Sequence, residues 1–246
     1  MDALAVTHVG CCGWCTARAR YFHEFDIIEV QQTFYEPPRI ATLARWRQDA
    51  PACFQFAVKC FQLVTHEATS PTYRRLRRAL PRSGTVGSFR DTPAVRAAWE
   101  ETVAAATAVG ATIVLLQTPA SFTPTAEHLA NLEAFTRQAR RGHALRLIFE
   151  PRGPAWTADG ADPLCRRLHL LRGGDPFAMP APPPRDQPFA YFRLHGLGGY
   201  RYSFTDADLV WLAQQVRGYE EAWVLFNNAS MWDDARRFKS LLARSV

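Results

Sequence analysis

Eight short runs of apolar and β-branched residues recur along the 246-residue chain, separated by segments of helical or irregular character. Runs of this kind are typical of buried strands, and their alternation with helices favours a parallel sheet. The most apolar run, TIVLLQ, ends at Gln117. The predicted strands are residues 8–12, 26–33, 54–59, 112–117, 145–150, 168–171, 191–195 and 223–226.

Helix signals fill most of the intervening segments. Pro37-Pro38 opens a predicted helix over residues 39–49. Thr92-Pro93 caps another helix, which ends at Gly110, and Thr205-x-x-Asp208 resembles a capping box. Further helices are predicted over residues 124–141, 162–167, 205–217 and 231–243.

Two connections depart from this alternation. Cys60–Asp91 is a long insertion after the third strand, and we expect it to be a mobile lid with a short basic helix over residues 71–80. Gly173–Pro188 contains six prolines, so an extended loop is expected to replace the sixth helix.

The pattern as a whole predicts the α/β class, with a TIM-type (β/α)8 barrel as the architecture. The chain length suits one such barrel, so we expect residues 1–246 to form a single domain. An open doubly wound sheet is the alternative, but the sequence has no G-x-G-x-x-G or Walker loop to favour it.

The charge balance favours an anionic partner. The chain has 29 basic and 23 acidic residues, which gives a net charge of +6 and a pI near 9.2. A mildly basic enzyme has the same composition, so this signal is weak. Lys59 and Lys239 are the only lysines. Because Lys59 closes a strand, its retention suggests a need for a compact ammonium or a deprotonatable amine.

Membrane and export signals are absent from the sequence pattern. No apolar run approaches the roughly 20 residues of a membrane-spanning helix. The first residues, MDALAVTHVG, include an acidic side chain and lack the basic region of a signal peptide. We therefore expect a cytoplasmic protein with no membrane partner.

Cysteine usage fits the same expectation, because cytoplasmic cysteines are usually free thiols. Cys11, Cys12 and Cys15 form a C-C-x-x-C cluster that, with Cys60, is a candidate zinc or iron–sulfur site. No second C-x-x-C accompanies it. We expect no metal, no disulfide and no cofactor in the isolated protein.

Polar residues close or follow most of the predicted strands. The carboxyl ends of parallel barrel strands meet at one rim, where the active sites of such barrels lie. We therefore expect Lys59, Glu150, Arg193 and His195 to line one cavity. The other rim candidates are Glu29, Thr33, Tyr35, His66, Gln117, Arg152, Asp175, Tyr200, Asn227 and Asn228.

These residue types favour an anion site with acid–base chemistry. Arginine, lysine and protonated histidine suit a phosphate or carboxylate, and side-chain amides suit neutral groups. The catalytic candidates are Glu150 as general acid or base, His195, and Lys59, which alternatively forms a Schiff base. The substrate-binding candidates are Glu29, Thr33, Tyr35, His66, Gln117, Arg152, Arg193, Tyr200, Asn227 and Asn228. A catalytic metal is disfavoured, because the nearby cations would repel it.

Charge balance at the rim has two interpretations. Glu29 lies before the end of its predicted strand, so it is also a candidate buried partner for Lys59 or Arg193. A cation without such a partner should hold an anion, because an unpaired buried charge is costly. The opposite interpretation is a polar plug of internally paired ions.

Several ordered motifs resemble one family. They are Val9-Gly10-x-x-Gly13-Trp14, Val30-x-x-Thr33-Phe34-Tyr35, Phe56-Ala57-Val58-Lys59, Thr65-His66, Leu116-Gln117-x-Pro119, Arg193-Leu194-His195-Gly196 and Phe226-Asn227-Asn228. Together they resemble the domain of unknown function 72 family, also called YecE-like. The stretches SPTYRR, from Ser70, and EPRG, from Glu150, resemble its archaeal-type branch. The resemblance implies a TIM barrel but implies little about activity. The chain departs from the usual first motif, with Cys11 and Cys12 in place of Thr and Ser.

We therefore predict an enzyme of hydrolase or lyase type, without a redox cofactor, that acts on a phosphorylated or carboxylated substrate. Nucleic acid is one candidate substrate. The alternative is a non-catalytic nucleic-acid-binding module that uses the basic stretch of residues 70–82. Its candidate contacts are Tyr73, Arg74, Arg75, Arg77 and Arg78.

Overall fold

The structure is a computed structural model, and it describes residues 6–178, 183, 184 and 186–244. Eight parallel strands form a closed barrel in the order of the sequence, which confirms the predicted TIM-type fold. The strands are β1 Val6–Cys12, β2 Ile27–Val30, β3 Gln55–Lys59, β4 Ala111–Gln117, β5 Arg146–Glu150, β6 Leu171–Gly174, β7 Phe189–Leu194 and β8 Glu221–Phe226.

Helices occupy most of the connections between these strands. They are α1 Arg18–Glu24, α2 Gln32–Tyr35, α3 Ile40–Asp49, α4 Gln62–Thr65, α5 Pro93–Val109, α6 Ala126–Ala139, α7 Ala158–Leu168, α8 Asp206–Val216 and α9 Met231–Arg244. A 3-10 helix covers Pro71–Arg75.

The cap signals in the sequence fix several helix ends. The Thr92 hydroxyl accepts the Val95 backbone N–H, and Pro93 occupies the first turn of α5, where no partner for its nitrogen is needed. Gly110 ends that helix with a φ of 69°, a conformation that favours glycine. At α8, Thr205 and Asp208 form the reciprocal capping box.

The chain divides into two compact units. The first comprises the described parts of Met1–Glu29, Ala50–Gln55 and Arg172–Val246. Within it, β1 pairs with β2 and β8, and β7 pairs with β6 and β8. Strands β7 and β8 are largely buried and carry several aromatic side chains; the Tyr191 and Trp223 rings, for example, stack 6.1 Å apart between centroids.

The second unit comprises Val30–Asp49 and Phe56–Leu171. Within it, β3 pairs with β4 and β4 with β5, so that Gln117 lies beside Glu150 in the register. Strand β4 is buried from Ile113 to Leu116, as its apolar run predicted. The helix α5 packs its buried face, which includes Trp99, against this unit's core.

Of the element boundaries that differ from prediction, three change how a segment is interpreted. Strand β2 ends at Val30, since Thr33 lies in α2 rather than in a strand. Strand β6 is Leu171–Gly174 and not residues 168–171, because α7 extends to Leu168 and the glycines hide the strand signal. The basic helix stops at Arg75 instead of continuing to residue 80.

The proline-rich connection between β6 and β7 holds no helix within its described residues, as expected from its composition. Residues 179–182 and 185 of the predicted loop lie outside the described part of the chain. Among the described helices, none has the length and apolarity needed to cross a bilayer.

Candidate functional site

A buried ion pair closes the carboxyl end of β7 in the first unit. Arg193 Nε donates to Glu29 Oε2 at 2.9 Å, and Arg193 Nη2 donates to Glu29 Oε1 at 3.0 Å. Tyr191 donates its hydroxyl to Glu29 Oε2 at 2.7 Å. The three side chains are at most 1% exposed. Strand alternation puts Tyr191 and Arg193 on one face, which is why both reach one carboxylate.

This cluster is balanced in charge. One carboxylate faces one guanidinium in a bidentate arrangement, the strongest geometry for such a pair. Burial and the Glu29 charge raise the pKa of Tyr191 well above its usual range, so the phenol stays protonated and donates. Arg193 therefore already has the carboxylate that an incoming anion would have to replace. The reason for expecting an anion against Arg193 does not hold.

His195 follows β7 and is held by a buried carboxylate. Asp175 Oδ2 accepts the His195 backbone N–H at 2.7 Å and lies 3.5 Å from His195 Nδ1. Asp175 is itself fixed, because Oδ1 accepts the Phe177 N–H at 3.0 Å. The imidazole is 25% exposed and Asp175 only 6%. An accessible proton carrier beside a buried carboxylate is suited to general acid–base work.

Gly196 sets the direction of the chain after His195. Its φ is 92°, and a Cβ at this position would lie 2.6 Å from Tyr202 Cβ and 2.7 Å from the Gly199 carbonyl oxygen. No residue with a side chain fits there without displacing the loop. The turn after His195 therefore requires glycine at position 196.

Asn228 holds the same loop through hydrogen bonds of its side chain. It is fully buried, and its amide nitrogen donates to the Tyr202 carbonyl and to Asp234 Oδ2, each at 2.7 Å. Asn227 donates its backbone N–H to the Leu194 carbonyl at 2.8 Å. Tyr200 is 60% exposed at the loop tip. Substrate binding by these three residues stays a prediction, and the contacts of Asn228 are those of a loop clamp.

In the second unit, a lysine, a phenylalanine and a histidine pack together at the end of β3. Lys59 Nζ lies 3.7 Å from the centroid of the Phe34 ring. The same ring meets His66 edge-on, with centroids 4.8 Å apart. His66 Nδ1 and Thr65 Oγ1 share a hydrogen bond of 2.7 Å. Lys59 is 6% exposed and His66 is 4% exposed, so the cation–π contact is largely desolvated.

The environment keeps His66 neutral. Burial and the positive charge of Lys59 lower its pKa to about 3. A neutral imidazole donates from one nitrogen and accepts at the other. His66 therefore suits hydrogen bonding and not general acid catalysis near neutral pH, and its contact with a substrate stays a prediction. Burial is the larger cause of the lowered pKa, and the charge of Lys59 adds to it.

Other predicted residues of this unit hold the ends of β2 and β3. The Thr33 hydroxyl lies 2.8 Å from the Val30 carbonyl oxygen and 2.7 Å from that of Lys59. Tyr35 accepts the Gln62 side-chain amide at its carbonyl, 2.8 Å away. Gln117 is half-buried at the end of β4. Thr33 and Tyr35 thus join neighbouring backbone segments through these contacts.

Glu150 ends β5 and pairs with Arg152. Arg152 Nε donates to Glu150 Oε1 at 2.6 Å, and Nη2 lies 2.5 Å from the same oxygen. Glu150 is 2% exposed and the arginine 36%. Glu150 is thus a buried carboxylate beside a partly exposed guanidinium, and its acid–base role stays a prediction.

The long insertion after β3 is anchored at both ends. Gly87 donates its N–H to the Leu63 carbonyl at 2.8 Å, and Phe89 donates to that of Val64 at 2.9 Å. Tyr73 donates to the His66 carbonyl at 2.9 Å. Residues 76–85, which follow the 3-10 helix and are exposed or half-buried, lie outside these contacts, and the lid stays a prediction for them.

The basic run of the insertion is partly neutralised. Arg78 forms a bidentate pair with Glu101 at 2.8 and 3.0 Å and contacts Glu36 at 3.4 Å. Arg75 stacks 3.5 Å over the Tyr35 ring. Arg74 and Arg77 have exposed side chains. These contacts also explain the short 3-10 helix, because reaching Glu36 and Tyr35 draws the chain out of helical geometry.

Within the described part of the chain, no three His, Cys, Asp or Glu side chains are placed to hold a metal ion. All six cysteines are free thiols. Cys60 is buried and 3.7 Å from Thr102 Oγ1, and burial raises its pKa to about 12. It is thus an inert thiol.

Two residues that matter to these clusters were missing from the predicted site. Phe34 carries the contact with Lys59, but an aromatic beside a strand end is indistinguishable in sequence from a core residue. Gln62 links the insertion to Tyr35, and its Oε1 has no hydrogen-bond partner although the side chain is fully buried. No sequence signal marks it.

Solved structures resemble this fold closely at low sequence identity. A DUF72 family protein from Enterococcus faecalis V583 superposes with a TM-score of 0.73 and 14% identity, covering 97% of this chain and 94% of that one. A DUF72 family protein from Thermotoga maritima MSB8 gives 0.71 and 18%, covering 97% and 99%. D-psicose 3-epimerase, determined in the presence of D-fructose, gives 0.57 and 15%, covering 93% of each.

The comparison with curated proteins finds no match. The family model described as "Protein of unknown function DUF72" matches residues 8–246, nearly the entire chain. The chain belongs to the DUF72 family.

Proposed function

We propose that the protein is an enzyme that acts on an anionic, phosphorylated or carboxylated substrate by acid–base chemistry at the carboxyl rim of its barrel. The observation that carries the proposal is the Asp175–His195 pair. It combines an accessible imidazole, 25% exposed, with a carboxylate that is 6% exposed and held by two backbone N–H groups.

In this proposal His195 transfers the proton and Asp175 is a positioning residue. The carboxylate fixes the ring and stabilises its protonated form, which is the role that a buried acid plays beside a catalytic histidine. Gly196 follows directly, in a turn where a Cβ would meet Tyr202 and the Gly199 carbonyl. Buried polar support of this kind is the usual property of a working acid–base group.

The anionic class of the substrate is supported by the Lys59 cluster. The positive charge of Lys59 reaches His66 strongly enough to contribute to its lowered pKa. A positive potential in a poorly solvated environment attracts phosphate or carboxylate groups. The net charge of +6 acts in the same direction.

The experiment is a screen of phosphorylated sugars, carboxylated sugars and short oligonucleotides for turnover, followed by variants. We expect His195→Asn to lower kcat by roughly 10²- to 10⁴-fold, with substrate affinity in calorimetry retained. Asp175→Asn should lower kcat less and move the pH profile. The control is His143→Asn, an exposed histidine before β5. Full activity in His195→Asn would contradict the assigned role.

A nucleic-acid-binding module is the second candidate, favoured by the exposed Arg74 and Arg77. A protein of this kind binds single-stranded oligonucleotides with strong salt dependence. Arg74→Gln with Arg77→Gln should then reduce the slope of log K against log salt by about 1.4, at about 0.7 per lost phosphate contact. Arg78→Gln should change it less, because two carboxylates already neutralise that guanidinium. Wild-type binding without salt dependence would rule this candidate out.

A further inference from the structure

A small cavity opens between α5 and α6 in the second unit, outside the clusters described above. Its volume is about 90 Å³. Residues of both helices line it, together with Phe89, Arg90 and Asp91 from the end of the insertion. An enclosed apolar cavity of about 150 Å³ holds a molecule as large as benzene. This cavity therefore suits a ligand of about one ring, with part of the ligand in solvent.

The buried side of the cavity is aromatic. The Phe135 ring of α6 lies 5.1 Å from the Phe89 ring and meets the Trp99 ring of α5 edge-on at 5.2 Å, measured between centroids. The three rings are at most 7% exposed, and Val95, which also lines the cavity, is 1% exposed. Aromatic rings carry a negative face, so they attract cations as well as apolar groups.

Phe89 has an unusual backbone conformation for a bulky residue. Ser88 and Phe89 have φ values of 49° and 54°, a region that residues with a side chain rarely adopt. Neighbouring contacts maintain it, since Phe89 donates its N–H to the Val64 carbonyl at 2.9 Å and the Ser88 hydroxyl donates to Glu67 Oε1 at 2.6 Å. Such residues concentrate at binding sites. The aromatic wall is thus formed before a ligand binds, which lowers the entropic cost of binding.

The charges around the cavity do not balance. Arg90 donates to Glu67 Oε1 at 2.5 Å, and Arg96 donates to Asp91, so each guanidinium already has a carboxylate. Glu100 also lines the cavity and is exposed, and its carboxylate has no ion pair or hydrogen bond within the part of the chain that the structure describes. Two cations thus face three carboxylates, although the whole chain has a net charge of +6.

We propose that this cavity binds a small organic amine in its protonated form. The apolar body of the amine packs against Trp99 and Phe135, and the ammonium group lies at the exposed side, where Glu100 supplies a carboxylate. Aromatic faces attract ammonium groups, and the unpaired carboxylate adds to that attraction. An anion is disfavoured, because both guanidinium groups are paired and Glu100 would repel it. The proposal is independent of the acid–base function, which uses no residue of this cavity.

Three compounds of similar shape test the charge of the ligand: benzylamine, a cation at neutral pH; benzyl alcohol, which is neutral; and benzoate, an anion. We expect calorimetry to give a Kd for benzylamine on the order of 1 mM, as for other ligands of this size. Benzylamine at about ten times its Kd should raise Tm by about 4 °C. Benzyl alcohol should bind about threefold more weakly, and benzoate should not bind.

Variants locate the site. Glu100→Gln should weaken benzylamine binding about threefold and leave benzyl alcohol binding unchanged, because it removes only the charge. Glu127→Gln, at an exposed position of α6, is the matched control and should change neither. Ala134→Phe, at a half-buried position of the lining, should fill the cavity and abolish the binding of both.

The exposed Glu100→Gln change keeps the proposal testable if Ala134→Phe fails to fold. Benzylamine binding that is unaffected by Glu100→Gln would overturn the proposal. Benzoate or benzyl alcohol binding as tightly as benzylamine would also overturn it, as would the absence of benzylamine binding in wild type at roughly 50 times the expected Kd.

Discussion

The two units of the chain stabilise buried charge in different ways. In the first, Arg193 meets Glu29 through two parallel hydrogen bonds, and Tyr191 adds a third. In the second, Lys59 packs over the Phe34 ring and its charge contributes to keeping His66 neutral. In the first arrangement, the charges of Arg193 and Glu29 offset each other. In the second, the Lys59 charge adds to burial in lowering the pKa of His66. We propose that the Lys59 cluster attracts anions and that the Glu29 cluster is structural.

The most disruptive test removes the guanidinium of the first cluster. Arg193→Met should leave Glu29 charged and buried without its main partner, which costs about 4 kcal/mol of unfolding free energy. Urea unfolding measures the loss, with Lys239→Met, at an exposed position of α9, as the control. Adding Glu29→Gln to Arg193→Met should recover part of the stability. A loss under about 1 kcal/mol would mean that the pair is not structural.

The second cluster predicts a pH effect on stability. The pKa of His66 falls from 6.5 to about 3 on folding, so the unfolded chain binds the proton more tightly. Stability from this group is complete above about pH 6.5 and declines as the pH falls toward 3. The decline down to pH 3 should amount to roughly 4 kcal/mol, since about three pKa units act over this range and each corresponds to about 1.4 kcal/mol.

His66→Gln should flatten this dependence between pH 6.5 and 3 relative to wild type. His143→Gln, at an exposed position, is the matched control and should leave the slope unchanged. Chemical unfolding at a series of pH values gives the two slopes. Parallel wild-type and His66→Gln curves would show that His66 titrates normally and that no positive potential acts on it.

Removing the Tyr191 hydroxyl should have a smaller effect on the stability of the first cluster. Tyr191→Phe removes one hydrogen bond to Glu29 while the guanidinium pair remains, so the unfolding free energy should fall by about 2 kcal/mol. The loss should be less than that of Arg193→Met in the same urea experiment. Equal losses would indicate that the phenol, and not the ion pair, holds Glu29 in place.

Much of the fold was predictable because its signals are local. Eight strand runs, the Thr92-Pro93 and Thr205–Asp208 caps and the terminating glycine Gly110 each depend on neighbouring residues. The prediction was wrong where contacts between distant residues, or a weak local signal, set the bounds of an element. The basic helix was too long because Arg78 is drawn to Glu36 and Glu101. Strand β6 was misplaced because its glycines have little strand propensity.

For the candidate site, residue positions were predictable from the sequence, but the partners of those residues were not. The ends of the predicted strands identified Lys59 and His195 as rim candidates, since that argument needs only the strand positions, and His66 was a candidate from the insertion that follows. The same argument left open whether Glu29 pairs with Lys59 or Arg193, because that choice depends on the stagger of strands 164 residues apart in sequence. The contact of Lys59 with Phe34 was likewise not predictable from the sequence, because it depends on the turn into α2.

The proposed function places Lys59 in the part of the protein that attracts the anionic substrate, and one measurement tests this most directly. Thermal unfolding of wild type should be measured in phosphate and in sulfate against chloride at matched ionic strength. Binding near saturation should raise Tm by roughly 5 °C. Lys59→Gln should abolish the increase, and Lys239→Gln should retain it. An increase that survives Lys59→Gln, or no increase over chloride in wild type, would contradict the claim and support an internally neutralised rim.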